Sequence, residues 1–192
     1  SGVAGWLMAR CYSARMAKRY PVPRILLLSD ARNDAALGRA LGRLPRGSGL
    51  VFRHYHLAPA ARRARFGALR RFCRRHGHAI LLSGAAAQAR AWGADGAYAA
   101  PARLGRRTGG LRLATAHDLA ELGDAARAGA DAVLLSPVFA TRSHPGAPVL
   151  GPVRFHLLAA LSGVPVIALG GMNRRRARRL HSHGWAAIDG LS

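Results

Sequence analysis

The stretch "RAGADAVLLSP", residues 127–137, runs from a basic helical end through a glycine and a small polar residue into an apolar run. The same order recurs in "RRHGHAILLSG" (residues 74–84), "AWGADGAYAA" (residues 91–100) and "LSGVPVIALGG" (residues 161–171). Glycine is typical of a helix end, and a short continuous apolar run is typical of a strand that is covered on both faces. These repeats therefore predict successive helix–strand units that share one parallel sheet.

Outside the repeats, short apolar runs alternate with helical patterns along most of the chain. Strands are predicted at residues 25–30, 49–57, 78–84, 96–100, 111–116, 131–139, 165–171 and 186–191. Helices are predicted at residues 33–44, 60–76, 85–92, 117–128, 152–161 and 173–183. The segment between the fourth and fifth strands is too short and glycine-rich for a full helix.

This alternation predicts an α/β fold, a (β/α)8 TIM barrel that occupies residues 24–192. A doubly wound open sheet is the alternative, but no GxGxxG follows the first strand. We expect the final helix to be missing, because the sequence stops at the eighth strand, and an extra N-terminal helix (residues 1–23) to pack on the barrel. A basic organellar transit peptide is the other interpretation of that first segment.

Composition narrows the class of protein. The 192 residues are half hydrophobic, which suits one domain with a sizeable core, and no apolar run reaches the ~18 residues of a membrane helix. Cys11 and Cys73 have no metal-ligand spacing around them, which favours a reducing, cytoplasmic environment without a zinc site or disulfide framework.

The net charge of +22 is typical of a nucleic-acid-binding protein. However, its arginines are spread among alanine, glycine and leucine, as a GC-rich coding bias would place them. The chain also lacks an RRM aromatic pair and a C2H2 pattern, so nucleic acid is not the expected partner. An arginine-rich nucleic-acid binder on a reused barrel stays as an alternative.

In such a barrel the functional side chains lie where the strands end and the following loops begin. The polar loop "SPVFATRSHPGAPVLG" (residues 136–151) follows the sixth strand, and "ALGGMN" (residues 168–173) ends the seventh. Paired glycines let a backbone approach an anion closely. We therefore predict a phosphate site at Gly170 and Gly171, with Gly190 after the eighth strand.

The stretch "GADAVLLSPVFATRSHPGAPVLGPVRFHLLAALSGVPVIALGGMN", residues 129–173, resembles thiamine phosphate synthases and the related thiazole tautomerases. In that family a strand ends in G-P-[VI]-F-x-T-x-[ST]-K, and a glycine, a helix and "PVVAIGGI" follow. The rest of the chain from residue 25 is collinear with the family, although the match is weaker there. The resemblance implies a (β/α)8 barrel that binds phosphorylated thiazole and pyrimidine precursors of thiamine.

The resemblance also implies roles for individual residues. Thr141 and Ser143 match the family's hydroxyl pair around the substrate phosphate, and Gly170 and Gly171 match its phosphate-binding glycines. "TAHD" (residues 115–118) resembles the family's S-x-H segment, which makes His117 the acid/base candidate of the tautomerase branch.

The sequence departs from the synthase pattern at the groups that handle pyrophosphate. On the second strand, Q-x-R-x-K is matched by Phe52, His54 and His56, and the loop lysine is matched by His144. The carboxylates that hold magnesium in a synthase, after the third and fourth strands, have no counterpart. Magnesium, the cofactor that the resemblance implies, thus lacks its ligands, and no other metal site is predicted.

Proton transfer needs only an anion grip and groups that titrate near neutrality. We therefore expect the protein to be either a weak or altered thiamine phosphate synthase or a thiazole tautomerase-like isomerase, with a small phosphorylated substrate. The candidate catalytic residues are His117, His54, His56 and His144. A non-catalytic protein that binds the phosphorylated ligand is the alternative. The missing final helix would expose a flank of the barrel, which a partner or, in a homodimer, a second copy of the chain could cover.

Overall fold

The structure is a computed structural model that describes residues 21–143 and 145–191. Most of the predicted N-terminal helix, together with Cys11 and His144, therefore lies outside the described residues.

Eight parallel strands form a closed barrel in sequence order, which confirms the predicted fold class. The strands are β1 (Ile25–Leu28), β2 (Gly49–Phe52), β3 (Ala79–Ser83), β4 (Gly96–Ala99), β5 (Leu111–Ala116), β6 (Ala132–Leu135), β7 (Val166–Ala168) and β8 (Gly184–Ala187). The first and last strands close the ring, because Leu26 pairs with Ala186 on one side and with Gly49 on the other.

Helices lie between the strands as expected. The described α-helices are α1 (Leu37–Gly42), α2 (Pro59–His76), α3 (Ala86–Trp92), α4 (Leu119–Arg127), α5 (Gly151–Ala160) and α6 (Arg174–Leu180). A short 3-10 helix, Pro101–Arg103, takes the place of a helix between β4 and β5. Within residues 21–143 and 145–191, no helix follows β8. In that described part of the chain, no helix is both long and apolar enough to cross a membrane.

Side chains that alternate along each strand build two apolar layers. Leu26, Leu28 and Val51 belong to a cluster made of strand residues, which fills the barrel interior. Leu27 and Phe52 belong to the larger cluster between the sheet and the helices. Burial of one such aliphatic side chain contributes about 1.5–3 kcal/mol, so the two layers hold the strand ends in fixed positions.

Most predicted strands are shorter in the structure, since β2 ends at Phe52 rather than at residue 57 and β6 at Leu135 rather than at residue 139. Two further boundaries differ for local reasons. The first helix is preceded by a 3-10 turn at Ala31–Ala36, because Asp30 and Asn33 form a reciprocal cap and the Asn33 amide donates to the carbonyl groups of Leu28 and Ile188. The eighth strand begins at Gly184 and ends at Ala187 rather than covering residues 186–191, so the residues after it are free to line a cavity.

Candidate active site

A cavity of about 740 Å³ opens at the carboxyl ends of the strands. It is the point where the loops after β2, β5, β6, β7 and β8 meet. The structure brings most of the predicted site residues together there, namely His117, Thr141, Ser143, Gly170, Gly171 and Gly190, and it adds Thr115 of the "TAHD" segment. His54 and His56 do not line this cavity.

The loop after β2 contributes Arg53 and Tyr55 to the cavity. Val51 faces the barrel interior and Phe52 faces the helices, and the alternation continues into this loop, where Arg53 lines the cavity and His54 is buried behind its wall. The cavity is therefore lined by Arg53 and Tyr55, and not by His54 and His56, which the sequence aligns with the arginine and lysine of Q-x-R-x-K. Arg53, which sequence reasoning missed, gives the cavity a fixed positive charge.

His54 is fully buried behind the cavity wall and is held on both ring nitrogens. Ser29 Oγ accepts from the backbone N–H of Arg53 at 2.8 Å, so its own hydroxyl is free to donate to His54 Nδ1 at 2.7 Å. His54 Nε2 then donates to Asp34 Oδ1 at 2.9 Å. Burial lowers the pKa of His54, although the bond to Asp34 opposes that shift. These bonds suit a neutral histidine that positions the loop after β2.

His56 is exposed, with its ring 5.3 Å from the ring of His54. Together with Asp34, the two histidines offer three ligand-type side chains whose ligand atoms lie within 4.8 Å of one another. However, Arg65 already donates to Asp34 Oδ1 at 2.6 and 2.9 Å. Burial would raise the pKa of Asp34, but the bonds from His54 and Arg65 outweigh it and lower that pKa. Hydrogen bonds within the protein therefore account for the proximity of Asp34 and His54, whereas His56 only packs its ring near that of His54.

His117 follows β5 and lies on the cavity wall. Its Nδ1 lies 2.7 Å from the carbonyl oxygen of Ser136, which can only accept, so Nδ1 carries the proton. Its backbone N–H donates to Glu121 Oε2 at 2.7 Å, which fixes the start of the loop. Within the described part of the chain Nε2 has no protein partner. In the neutral ring Nε2 is an unprotonated base at the cavity.

Two further residues that carry a hydroxyl group line the cavity, Tyr98 on β4 and Thr115 on β5. Burial raises the pKa of Tyr98 to about 12. The phenol therefore stays protonated near neutral pH and can donate a hydrogen bond to a ligand.

The loop after β6 presents the hydroxyl pair Thr141 and Ser143 to the cavity. Thr141 Oγ1 accepts from the backbone N–H of Ser143 at 3.3 Å. Ser143 Oγ accepts from Arg32 Nη2 at 3.0 Å, across 111 positions of sequence. Both hydroxyl hydrogens therefore remain able to donate to an anion.

Gly170 and Gly171 adopt positive φ angles of 93° and 61°. A Cβ at Gly170 would lie 2.7 Å from Pro137 Cα, and one at Gly171 would lie 2.9 Å from Phe139 Cβ. The two glycines thus let the loop after β7 pack directly on the loop after β6. Their backbone N–H groups donate to no acceptor in residues 21–143 or 145–191, which leaves them available to a phosphate.

The resemblance to the synthases implies a magnesium ion held by carboxylates at the ends of β3 and β4. β3 ends at Ser83, whose hydroxyl is hydrogen-bonded to Tyr55, and β4 is followed by Ala100. Among the described residues Asp189 is the only carboxylate that lines the cavity, and it lies 3.6 Å from Arg32. The residues present therefore do not fit a magnesium ion held by two carboxylates.

The sequence model of the thiamine monophosphate synthase family matches residues 29–191. The chain belongs to this family. A thiamine-phosphate synthase from Chloroflexus aurantiacus is 34% identical over 133 residues, which span 65% of this chain and 59% of that protein. A relative from Aquifex aeolicus is 35% identical over 78 residues, which span 41% of this chain and 42% of that protein. The matches thus cover only about half the length of these curated relatives.

A solved structure supports the fold of this family member. The thiamine phosphate pyrophosphorylase from Pyrococcus furiosus superimposes with a TM-score of 0.73, covers 86% of this chain and 85% of its own, and is 21% identical. At that identity the similarity shows that the two proteins share a barrel fold, and it does not show a shared activity.

Proposed function

We propose that the protein binds a phosphorylated thiazole, a precursor of thiamine, at the carboxyl end of the barrel, and moves a proton on it. The phosphate would lie between the hydroxyls of Thr141 and Ser143 and the N–H groups of Gly170 and Gly171. Arg53 would add a positive charge from the opposite side of the cavity. This arrangement suits an anion better than a neutral ligand.

The proposal depends mainly on the tautomer of His117. Its Nδ1 proton is committed to Ser136, so Nε2 is the ring atom that can take a proton from a bound C–H and return it at another ring atom. Such a transfer leaves the substrate charge unchanged overall. It requires no carboxylate-held metal, which agrees with Ser83 and Ala100 at the ends of β3 and β4.

A synthase that joins a pyrimidine pyrophosphate to a thiazole phosphate is the second candidate. Arg53 supports it, because a fixed cation can stabilise the charge that develops on departing pyrophosphate. The cavity volume of about 740 Å³ also lies within the range for sites that hold drug-sized ligands. A non-catalytic protein that retains only the phosphate grip is the remaining alternative.

A homodimer belongs to the same proposal, although the exposed apolar face lies on α5, between β6 and β7, and not on the flank between β8 and β1 that the missing final helix would leave. Val153, Leu157 and Leu161 lie four residues apart at α5 and are 75%, 63% and 66% exposed. A second copy would cover this apolar face. Light scattering that gives the mass of a single chain would remove the dimer from the proposal.

The deciding experiment separates the three activities. The protein is incubated in D2O with the phosphorylated thiazole, and NMR follows solvent deuterium into the ring. Parallel reactions add the pyrimidine pyrophosphate, with and without magnesium, and assay thiamine phosphate. Deuterium uptake that His117→Gln abolishes supports the isomerase. Thiamine phosphate formation supports the synthase, and ligand-induced thermal stabilisation without either reaction supports a binding protein.

A further inference from the structure

Two carboxylates are joined to the proposed phosphate loop through one arginine. Asp189 lines the cavity after β8, whereas Asp30, which follows β1, does not line it but shares the guanidinium of Arg32 with Asp189. Aspartate is ionised near neutral pH, and charge repulsion in a partly closed cavity is stronger than in bulk water. A cavity that binds phosphate therefore needs a group that neutralises these two side chains.

Arg32 contacts both of them and the phosphate loop. Its Nε lies 2.9 Å from Asp30 Oδ1, and its Nη1 lies 3.6 Å from Asp189 Oδ2. Its Nη2 donates to Ser143 Oγ at 3.0 Å. One guanidinium thus joins the loops that follow β1, β6 and β8. Arg32 itself does not line the cavity.

We propose that Arg32 is a positioning residue that screens Asp189 and Asp30 and aims the Ser143 hydroxyl at the phosphate of the substrate. The inference rests on the proposed function, because it assumes a phosphate at Thr141 and Ser143. Arg32 occupies an acceptor lone pair of Ser143, which leaves the hydroxyl hydrogen to donate toward the cavity.

The charges around Asp189 support this role. Within the part of the chain that the structure describes, Arg32 is the only cation within ion-pair distance of Asp189. Arg53 also approaches Asp30, but at 4.0 Å. The hydrogen bond from Arg32 lowers the pKa of Asp30, although burial opposes that shift. Removal of Arg32 would therefore leave Asp189 unscreened at the cavity and free the Ser143 side chain.

The test is a cycle of variants with two ligands, the thiazole phosphate and the corresponding thiazole alcohol. Calorimetry measures both affinities for wild type, Arg32→Gln, Asp189→Asn and the double variant. Arg32→Gln should lower the affinity for the thiazole phosphate about ten-fold, because charged hydrogen bonds and the screening of Asp189 are lost. The affinity for the alcohol should stay within about two-fold of the wild-type value. Asp189→Asn should restore much of the loss in the Arg32→Gln background, because it removes the carboxylate that Arg32→Gln leaves unscreened.

Arg127→Gln is the matched control, because Arg127 forms an ion pair with Asp124 on α4, and neither residue lines the cavity. A wild-type protein that binds neither thiazole phosphate nor inorganic phosphate contradicts the proposed function itself. Phosphate binding that Arg32→Gln leaves unchanged, or a loss that extends equally to the alcohol, overturns only the role of Arg32.

If Arg32→Gln does not fold, Asp189→Asn in the otherwise intact chain carries the test. That variant leaves the charge of Arg32 without one of its two carboxylate partners, so phosphate affinity should rise while alcohol affinity stays within about two-fold. A phosphate affinity that does not rise, or an equal change for the alcohol, would show that this ion pair does not set the charge beside the phosphate, and the proposal would be wrong.

Discussion

The imidazole of His117 is tied through Nδ1 to the carbonyl oxygen of Ser136 at 2.7 Å. This bond connects the loop after β5 to the end of β6 and orients the ring at the cavity. A backbone carbonyl in this position holds the tautomer in which Nε2 can accept a proton.

Replacing His117 by Gln should therefore reduce turnover on the phosphorylated thiazole about 10²–10⁴-fold, the usual contribution of a general acid/base. Binding should change little, because the phosphate contacts lie elsewhere. Steady-state kinetics and calorimetry measure the two effects separately. His156→Gln is the control, since His156 is exposed on α5 and does not line the cavity. Equal losses of turnover and affinity would contradict the role.

Arg53→Gln should weaken thiazole phosphate binding several-fold, because a positive charge that faces the anion across the cavity is lost. Arg53→Lys should retain part of the affinity through its charge alone. Arg106→Gln, at an exposed position away from the cavity, should bind like wild type. The proposed inward orientation of Arg53 is wrong if both Arg53 variants match that control.

Gly170→Ala should lower the free energy of unfolding by about 1–3 kcal/mol, because φ is positive there and the new methyl would press on Pro137. Phosphate affinity should fall as well, since the loop would have to move. Chemical denaturation measures the stability change. Gly163→Ala provides the comparison, as its Cβ would meet only Ala126 Cβ at 4.0 Å. Equal stability of the two variants would contradict the close packing of the loops.

The lowered pKa of His54 predicts a pH-dependent stability. Below about pH 6.5 the unfolded chain binds a proton that the buried, neutral His54 does not, so the free energy of unfolding falls as pH drops. Above that pH both states are neutral and the contribution is fully present. Urea titrations at several values between about pH 5 and pH 7 give the free energy of unfolding at each pH. That free energy should change less steeply with pH in His54→Gln than in wild type. Part of the pH dependence should remain in that variant, because burial also lowers the pKa of His78.

The barrel and the loop after β6 could be predicted because their signals are local. Glycine-ended helices followed by short apolar runs fix the order of the elements, and the hydroxyl pair Thr141 and Ser143 is visible in a short segment. The sequence does not predict which side chains at the end of β2 point into the cavity. Both faces of its apolar residues are buried, so "LVF" gives no alternation that would distinguish Arg53 from His54.

Arg32 could not be found from the sequence either. Its contact with Ser143 joins residues separated by 111 positions, and nothing near Arg32 distinguishes it from the other arginines of the chain. Only the closed barrel brings the ends of β1, β6 and β8 together.

The pairing of β1 with β8 has a consequence for the synthesis of the chain. The first strand leaves the ribosome long before the eighth, so one of its edges stays unpaired while the intervening strands are made. An open edge is a site for association with other chains, and a nascent barrel would need protection until Gly184–Ala187 emerges. A ribosome that stalls before this strand would release a product with two exposed edges, which we expect to aggregate or be degraded.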